Sequence, residues 1–382
     1  MKLYDVKKDD PRSLRPSWAE IDHDAIRSNM VVARSLIPAS TKIYMVCKGD
    51  GYGFGAATVA KLAAEAGADG LCVGSPEEGV AIRNAGVDLE VLLFASTLPE
   101  DTVKVASLGL TLTIESLESL EAFIACGVEV NAFVEIDPGF GRFGLLPEQW
   151  AYAFESLKNQ TKVKLRGIYA HLSSPDDNEV TKNQVAVFNA ALQKAEAAGF
   201  SDLMFMLASS RVMMAHPSLA YGAVDPGRLL YGALDGSGMD KLPLKPMLKA
   251  VRGRIVHVQE HLAGSVLGVG YGTPIVLEKN MKIGVVPIGF GDGLNHIPPL
   301  GNAIVNGVFA PVLGRRSLQH SMLDLTHIPS AEIGTVATFL GEDGDCRITL
   351  DELAGNMNVG VLELTPRLAK NLPHLIVSDR DK

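Results

Sequence analysis

Lys48 lies in a sequence context typical of a lysine that reacts covalently with a ligand. The apolar run 43–47 ends at this lysine, and the glycine-rich segment 49–55, which contains Tyr52, follows it. Buried strands of β/α folds carry active sites at their C-terminal ends. Apolar neighbours desolvate the amine there, which favours the unprotonated form that makes imines. A lone Lys-Gly pair would indicate only a surface turn, whereas this ten-residue arrangement favours covalent chemistry.

A second candidate pair, Glu135 and Arg142, flanks the segment 137–141. Such a pair is most often an ordinary ion pair. A fixed guanidinium also suits an anionic oxygen, because its donors form a planar fork. The spacing by itself leaves both interpretations open.

The lysine segment resembles the motif that holds pyridoxal 5'-phosphate (PLP) in alanine racemases. Further segments in matching order extend the resemblance over nearly the whole chain: residues 15–22, 75–79, 141–144, 269–272 and 287–293. The chain is thus similar to the alanine racemase family of fold-type III PLP-dependent enzymes. The resemblance implies an α/β protein, with a (β/α)8 TIM-type barrel and a C-terminal mostly β domain. It also implies PLP as cofactor, an amino-acid substrate and a homodimer.

The resemblance implies two catalytic groups on opposite faces of the substrate, Lys48 and Tyr271. Tyr271 would reach the barrel of the partner subunit, so that a dimer builds each site. Arg142 would contact the cofactor and the substrate carboxylate, with Glu135 as its negatively charged support. Met322 matches a residue whose backbone amide meets that carboxylate, although core packing is the simpler interpretation. The cofactor-binding candidates are Lys48, Tyr52, Arg142, His171, Ser210, Asp225 and Gly227, and no metal ligand is assigned.

Three positions depart from the racemase pattern. Asp225 stands where racemases carry an arginine that faces the pyridine nitrogen, and Phe290 replaces a tyrosine that supports Tyr271. Val359 replaces a tyrosine that narrows the pocket and contacts the phosphate. A wider, less polar pocket suits a substrate larger than alanine. Asp225 favours a protonated ring and a stronger electron sink, unless the Asp-Pro-Gly sequence only forms a turn.

The leading interpretation is a PLP-dependent amino-acid racemase, an isomerase whose substrate is other than or larger than alanine. Its two bases would be Lys48 and Tyr271. Asp225 motivates a second interpretation, a PLP-dependent lyase or decarboxylase acting at Cα or Cβ. The third is a non-catalytic PLP carrier. It is disfavoured because a carrier needs only the barrel.

Composition argues against other classes of protein. Of 382 residues, 47% are hydrophobic and 21% charged, and the net charge is −9 with no basic patch, so we expect no nucleic-acid partner. The four cysteines are scattered, as in free thiols of a reducing compartment. The sequence has neither a signal-peptide pattern nor a membrane-spanning run, and it predicts a cytoplasmic protein.

Alternating apolar and amphipathic runs predict the parallel barrel. The predicted barrel strands are 43–47, 70–73, 89–94, 110–114, 131–136, 167–172, 203–208 and 228–232. The predicted helices are 23–36, 56–66, 77–84, 117–125 and 178–198. Most candidate residues fall at or just after the C-terminal end of a strand, and those ends converge on one face of a barrel.

The pattern changes near Pro246 to β-rich pieces, at 253–259, 282–288, 303–313 and 335–340, with one helix near 350–357. The predicted domains are an N-terminal extension at 1–14, a PLP-binding (β/α)8 barrel at 15–245, and a C-terminal β domain at 246–382. The last of these would complete the partner's active site.

Overall fold

The computed structural model describes residues 15–235, 242–268 and 274–378. The chain divides into two compact units, one from Ile26 to Leu230 and one formed by Met1–Ala25 together with Tyr231–Lys382. Both ends of the predicted 15–245 domain therefore group with the C-terminal unit. At the N-terminal end the reason is strand pairing, because β1 (Ser17–Asp22) pairs with two strands of that unit.

The unit from Ile26 to Leu230 is built around eight parallel strands that close into a barrel. Its strands are rich in β-branched and aliphatic residues and are largely buried, as expected of strands that are covered on both faces. This arrangement confirms the predicted (β/α)8 fold. The barrel strands are β2 (Lys42–Val46), β3 (Gly70–Val73), β4 (Glu90–Leu93), β5 (Thr111–Ile114), β6 (Val130–Glu135), β7 (Val163–Tyr169), β8 (Met204–Ser209) and β9 (Ala223–Asp225).

Helices connect these strands, and serine caps begin two of them. The side chains of Ser75 and Ser116 each accept a hydrogen bond from the N–H three residues later. The side chain of that later residue in turn accepts the backbone N–H of the serine. The described helices from the first to the last barrel strand are α1 (Asp24–Ser35), α2 (Lys48–Tyr52), α3 (Ala56–Glu65), α4 (Pro76–Asn84), α5 (Thr102–Ala106), α6 (Leu117–Ala125), α7 (Pro147–Lys158), α8 (Asn178–Ala197), α9 (Ser210–Ala215) and α10 (Arg228–Tyr231). Five were not predicted as helices: the short α2, α5, α9 and α10, and the longer α7.

The predicted eighth strand, 228–232, is wrong. The eighth barrel strand is the three-residue β9, which pairs with β8 and β2, and Arg228–Tyr231 forms the helical turn α10. A short apolar run does not by itself distinguish a buried strand from a buried helical turn. Here the backbone N–H groups of Gly227 and Leu229 bond to the Ser210 hydroxyl, which takes this segment out of the strand ladder.

The C-terminal unit is mostly β, as predicted. Its main sheet has the order β11-β14-β17-β16-β15-β18-β10-β1-β20, with β19 on β18 and a separate β12–β13 pair. The strands are β10 (Leu248–Arg254), β11 (His257–His261), β12 (Val266–Leu267), β13 (Ile275–Val276), β14 (Met281–Val286), β15 (Asn302–Val305), β16 (Val308–Leu313), β17 (Ser321–Asp324), β18 (Val336–Asp343), β19 (Cys346–Ile348) and β20 (His374–Val377).

Two helices follow β19, namely α11 (Leu350–Met357) and α12 (Val361–Asn371). The sequence indicated only the first. Pro366 lies inside α12 and weakens its helical pattern, yet the helix buries Leu364 and Leu368 on one face. Packing of that face outweighs the missing proline N–H. Across the described ranges, none of the helices has both the length and the apolar character that crossing a bilayer requires.

Candidate active site

Lys48 begins a left-handed turn directly after β2. Gly49, Asp50 and Gly51 have φ values of 67°, 54° and 61°. A Cβ added to Gly51 would lie 2.9 Å from a methyl group of Val59, so glycine is required there for space as well as for backbone conformation. The turn leaves Lys48 exposed at the C-terminal end of the barrel.

The Lys48 side chain extends across the neighbouring strand ends. Its Nζ lies 5.7 Å from the centroid of the Phe94 ring, which follows β4. A Cβ added to Gly74, which follows β3, would lie 3.0 Å from the Lys48 Cβ. The lysine stem is therefore confined by backbone on one side and has an aromatic face beside its amine.

Asp225 ends β9 and lies next to Ser209 of β8. Burial raises the pKa of its carboxyl to about 7, and the positive charge of Lys48 opposes the rise. The Asp225 charge in turn adds to the pKa increases that burial causes at Tyr52 and Cys72. These mutual effects place the carboxylate within electrostatic range of the lysine, at the same end of the barrel.

His171 follows β7 at this end of the barrel. Burial, together with the charges of Lys48 and Arg142, lowers its pKa to about 4. The imidazole is therefore neutral at pH 7. Its ring centroid lies 5.6 Å from that of Phe140, and the Arg142 guanidinium lies 4.5 Å from the same phenylalanine ring.

Arg142 is carried by a loop that its own residues close. Asp137 accepts hydrogen bonds from the backbone N–H groups of Gly139 and Phe140, at 2.8 and 2.7 Å. The Leu145 N–H donates to the Glu135 carbonyl oxygen at 2.8 Å, which joins the two ends of the loop. The loop presents the guanidinium beside His171.

Glu135 is buried at the end of β6, and its hydrogen-bond partner is Tyr169. The tyrosine hydroxyl donates to the carboxylate at 2.9 Å and lies 3.1 Å from the Thr113 hydroxyl. Burial raises the Glu135 pKa to about 7, while the Tyr169 hydrogen bond and the Arg142 charge lower it. Arg142 thus acts on Glu135 through its field, and the aromatic rings provide the contacts of the guanidinium. The predicted supporting role of Glu135 stays a prediction.

Ser210, Gly227 and Tyr52 come together at the ends of β8, β9 and the lysine turn. The Ser210 hydroxyl oxygen accepts the N–H groups of Gly227 at 3.0 Å and of Leu229 at 3.1 Å. A Cβ added to Gly227 would lie 2.5 Å from the Tyr52 hydroxyl, so only glycine lets the two approach. The two amides orient the Ser210 hydroxyl, and the hydroxyls of Ser210 and Tyr52 are groups suited to donate to a phosphate.

Sequence reasoning missed two charged residues near these groups. Arg228 lies between the two amides that bond to Ser210, and its charge opposes the pKa rise that burial causes at Tyr52. Glu78 accepts a hydrogen bond from the lysine turn itself, donated by the Asp50 N–H. The position of Arg228, directly after Asp-Pro-Gly, could have indicated its place near the site. No local pattern predicted the second, because the capping box explains Glu78 on its own.

The remaining candidates belong to the C-terminal unit. Tyr271 lies outside the described residues. Met322 lies within β17, and its side chain packs against the hydrophobic cluster of Leu267, Leu277 and Ile283. The predicted contact between its backbone amide and the substrate carboxylate stays a prediction. Phe290 is partly exposed and packs edge-on against His296 at 5.1 Å between ring centroids. Val359 is half-buried after α11.

The chain is similar to known proteins along both of its units. The family models for the N-terminal and C-terminal domains of alanine racemase match residues 21–235 and 249–376. An alanine racemase of Desulfovibrio desulfuricans is 32% identical over 95% of this chain and 98% of its own length. One from Methanococcus maripaludis is 28% identical, over 94% of this chain and 98% of its own length.

Solved structures give the same result. An alanine racemase of Clostridium difficile 630 superposes with a TM-score of 0.87 and 25% identity, covering 95% of this chain and 96% of the other. One from Bacillus anthracis with bound L-Ala-P has the same TM-score and identity, and covers 96% of both chains.

Proposed function

The chain belongs to the alanine racemase family of PLP-dependent racemases, and from that premise we propose that it racemises alanine with Lys48 and Tyr271 as its two bases. The observation that supports the proposal is the meeting of Lys48, His171, Arg142 and Asp225 at the C-terminal end of one barrel. The assignment of Tyr271 rests on its motif, because that residue lies outside the described ranges.

The described residues fit the cofactor. The hydroxyls of Ser210 and Tyr52 would hold its phosphate, with the amides of Gly227 and Leu229 orienting Ser210, and Arg228 would add a positive charge at that end. Lys48 would bond to its aldehyde. When bound, PLP withdraws electrons from the amino-acid Cα carbon.

The protein's own groups then have separate tasks. Lys48 would remove or return the Cα proton on one face, and Tyr271 on the other. Arg142 would receive the substrate carboxylate, since its guanidinium is held by aromatic faces and lies beside His171. The neutral imidazole avoids placing another full charge next to Lys48 and Arg142.

Alanine is the substrate proposed because the relatives described above are named alanine racemases. They give no support to the expectation of a different or larger substrate, which rested on Phe290 and Val359.

A lyase or decarboxylase is the second candidate, and Asp225 favours it. Asp225 is the last residue of a barrel strand, and the charge of Lys48 acts on its carboxylate. An aspartate that only capped a turn would not need to be part of a barrel strand. Facing a pyridine nitrogen, Asp225 would favour the protonated ring and a stronger electron sink. A stronger sink allows substituents other than a proton to leave Cα or Cβ.

One screen tests these candidates together. The holoprotein is incubated with each L-amino acid, and products are analysed by chiral chromatography and mass spectrometry. D-alanine as the main product supports the proposal. A D-isomer of a larger amino acid would replace alanine as substrate, loss of carbon dioxide or a side-chain fragment would indicate the lyase, and no turnover would indicate the carrier.

We also propose a homodimer with shared sites, in which Tyr271 acts at the partner's barrel, and a cytoplasmic location. Mixing Lys48→Ala with Tyr271→Phe subunits should restore part of the activity, because one site of each heterodimer then has both groups intact. Subunit exchange is verified by native mass spectrometry. Exchange without recovery would mean that each chain builds its own site.

A further inference from the structure

Glu78 links the lysine turn to the neighbouring barrel strand. We infer that it is a positioning residue that fixes Lys48, and that its carboxylate is needed for this beyond its role as a helix cap. The inference rests on the proposed function, in which Lys48 bonds to the cofactor and transfers protons.

Both carboxylate oxygens of Glu78 are acceptors for backbone N–H groups from two different segments. Oε1 accepts the N–H of Asp50, inside the lysine turn, at 2.7 Å. Oε2 accepts the N–H groups of Gly74 and Ser75, which follow β3, at 2.8 and 3.2 Å. One side chain therefore joins the turn that carries Lys48 to the adjacent strand end.

The left-handed turn explains why such an acceptor is present. With φ near +55°, Asp50 directs its N–H away from a normal helical ladder, and the amide needs a partner from elsewhere. A carboxylate accepts amide hydrogen bonds more strongly than a neutral group does. Asp50 also accepts the N–H of Ala56 through its own side chain at 2.8 Å, so the same residue is held from both sides.

The held backbone is also the surface against which the Lys48 stem packs. The space for a Cβ at Gly74 is 3.0 Å from the Lys48 Cβ, so a shift of the Gly74 segment would move the lysine. Glu78 thus constrains the backbone of Asp50, two residues after Lys48, and the Gly74 segment that lies beside the Lys48 side chain. A lysine that must reach one carbon atom of a bound ligand requires this control of direction.

A helix cap alone would account for only part of this geometry. In the capping box of α4, the Glu78 N–H donates to the Ser75 hydroxyl at 3.4 Å, and Glu78 accepts the Ser75 N–H. The C-terminal unit contains a matched box, in which Glu352 accepts the Thr349 N–H at 2.6 Å and donates its own N–H to the Thr349 hydroxyl at 3.1 Å. Only the Glu78 box is tied to the lysine turn.

The test compares Glu78→Gln with Glu352→Gln and Ser75→Ala. Glutamine has the shape of glutamate but a single acceptor oxygen, so its NH2 group would face one of the N–H groups that Glu78 now binds. Glu352→Gln alters a cap far along the chain. Ser75→Ala weakens the cap of α4 and leaves the Glu78 carboxylate in place.

Two quantities are measured for each variant besides its stability. One is the rate at which cofactor-stripped protein, mixed with PLP, acquires a borohydride-reducible bond at Lys48, read by peptide mass spectrometry. The other is the split between kcat and KM. We expect Glu78→Gln to slow bond formation and lower kcat by about tenfold to a hundredfold with KM nearly unchanged. The two controls should alter urea unfolding only.

If Glu78→Gln matches the two controls in bond formation and kcat, Glu78 is only a helix cap and the inference is overturned. If wild-type protein is labelled at another lysine, or at none, the proposed function fails instead, so the two failures are distinct. Should Glu78→Gln not fold, Glu78→Asp, which keeps the charge but is one methylene shorter, is measured by the same criteria.

Discussion

The two ends of the barrel both carry polar and titratable side chains, but they use them differently. At the N-terminal end the Tyr44 hydroxyl donates to Glu90 at 2.5 Å, and the Thr111 hydroxyl donates to the same carboxylate at 2.8 Å. At the C-terminal end the positive charge of Lys48 has a lowering effect on the pKa of both His171 and Asp225. Paired groups close one end and stabilise the fold. Groups available to a ligand collect at the other end, as in β/α barrels generally.

The two ends differ because side chains fill the barrel interior near the N-terminal ends of the strands. The Tyr44 ring fills the barrel beside Gly70, where an added Cβ would lie 2.4 Å from it. A filled interior gives Glu90 close partners. The C-terminal end is built from loops and the left-handed turn, which hold charges apart at the strand ends. Substitutions at the two ends should therefore separate activity from stability.

Lys48→Ala should have the largest effect on activity. Removing the amine that bonds to the cofactor and moves a proton should lower turnover by at least about 10⁴-fold, or ~5.4 kcal/mol of activation free energy. The side chain is exposed, so the free energy of unfolding should change by no more than about 0.5 kcal/mol. Chiral chromatography measures turnover and urea unfolding measures stability, with the exposed Lys61→Ala as control. A variant within tenfold of wild type would remove Lys48 from the mechanism.

Asp225→Asn should have the next largest effect. Loss of a carboxylate beside the pyridine nitrogen would weaken the electron sink, and we expect turnover to fall by on the order of 10²-fold, or ~2.7 kcal/mol. The visible absorption of the bound cofactor should change with it. The control is Asp176→Asn, at an exposed carboxylate that pairs with Arg211. An unchanged spectrum and rate would leave Asp225 as a turn residue.

The Asp225 carboxyl should also make stability depend on pH in a defined direction. Burial raises its pKa to about 7 from 3.8, so between these values the folded protein binds more protons than the unfolded chain. The stabilisation is fully present below pH 3.8 and is lost as pH rises through 7. Glu135, raised to about 7, acts in the same direction. His171, lowered to about 4, acts oppositely, since stability is lost as pH falls from 6.5 to 4.

Urea unfolding of cofactor-free protein between pH 4 and 8 isolates the contribution of Asp225 to the pH dependence of stability. The difference between wild type and Asp225→Asn should decline as pH rises through this window, because only the wild type carries the buried carboxyl. The contributions of Glu135 and His171 are common to both proteins and cancel. A difference that does not vary with pH would place the Asp225 carboxyl in solvent.

Tyr44→Phe, at the opposite end, should have the smallest effect on turnover. It leaves the half-buried Glu90 carboxylate without its closest donor, and we expect the free energy of unfolding to fall by about 1 kcal/mol. The turnover number should stay within about twofold of wild type. The control is Tyr152→Phe, whose exposed hydroxyl makes only a 3.4 Å contact with Glu121. A large loss of turnover in Tyr44→Phe would show that the two ends are coupled.

Much of the fold could be predicted because local pattern and tertiary structure agree. Seven barrel strands and helices such as α6 and α8 overlap the segments where periodicity predicted them. The exceptions are segments whose conformation depends on distant partners. Ala223–Asp225 is too short to recognise without its neighbours in the barrel, and α12 tolerates Pro366 because one of its faces is buried.

The candidate site divides in the same way. Lys48, Tyr52 and Gly227 could be selected from sequence because glycine-rich turns after buried strands restrict what the chain can do there. The link from Glu78 to Asp50, and the bond between Glu135 and Tyr169, could not, since they join residues 28 and 34 positions apart. For Met322 the sheet places the side chain against a hydrophobic cluster, and the contact predicted for its backbone amide stays a prediction.

The sequence by itself determined the barrel, the mostly β second domain, the lysine turn and the family to which they belong, because each is encoded in contiguous segments. Only the tertiary structure decided which strand completes the barrel and that β1 pairs within the C-terminal unit. It also decided that the charge of Lys48 acts on both His171 and Asp225. Burial and through-space charge depend on distances between segments far apart in the chain, and those distances exist only after the chain has folded.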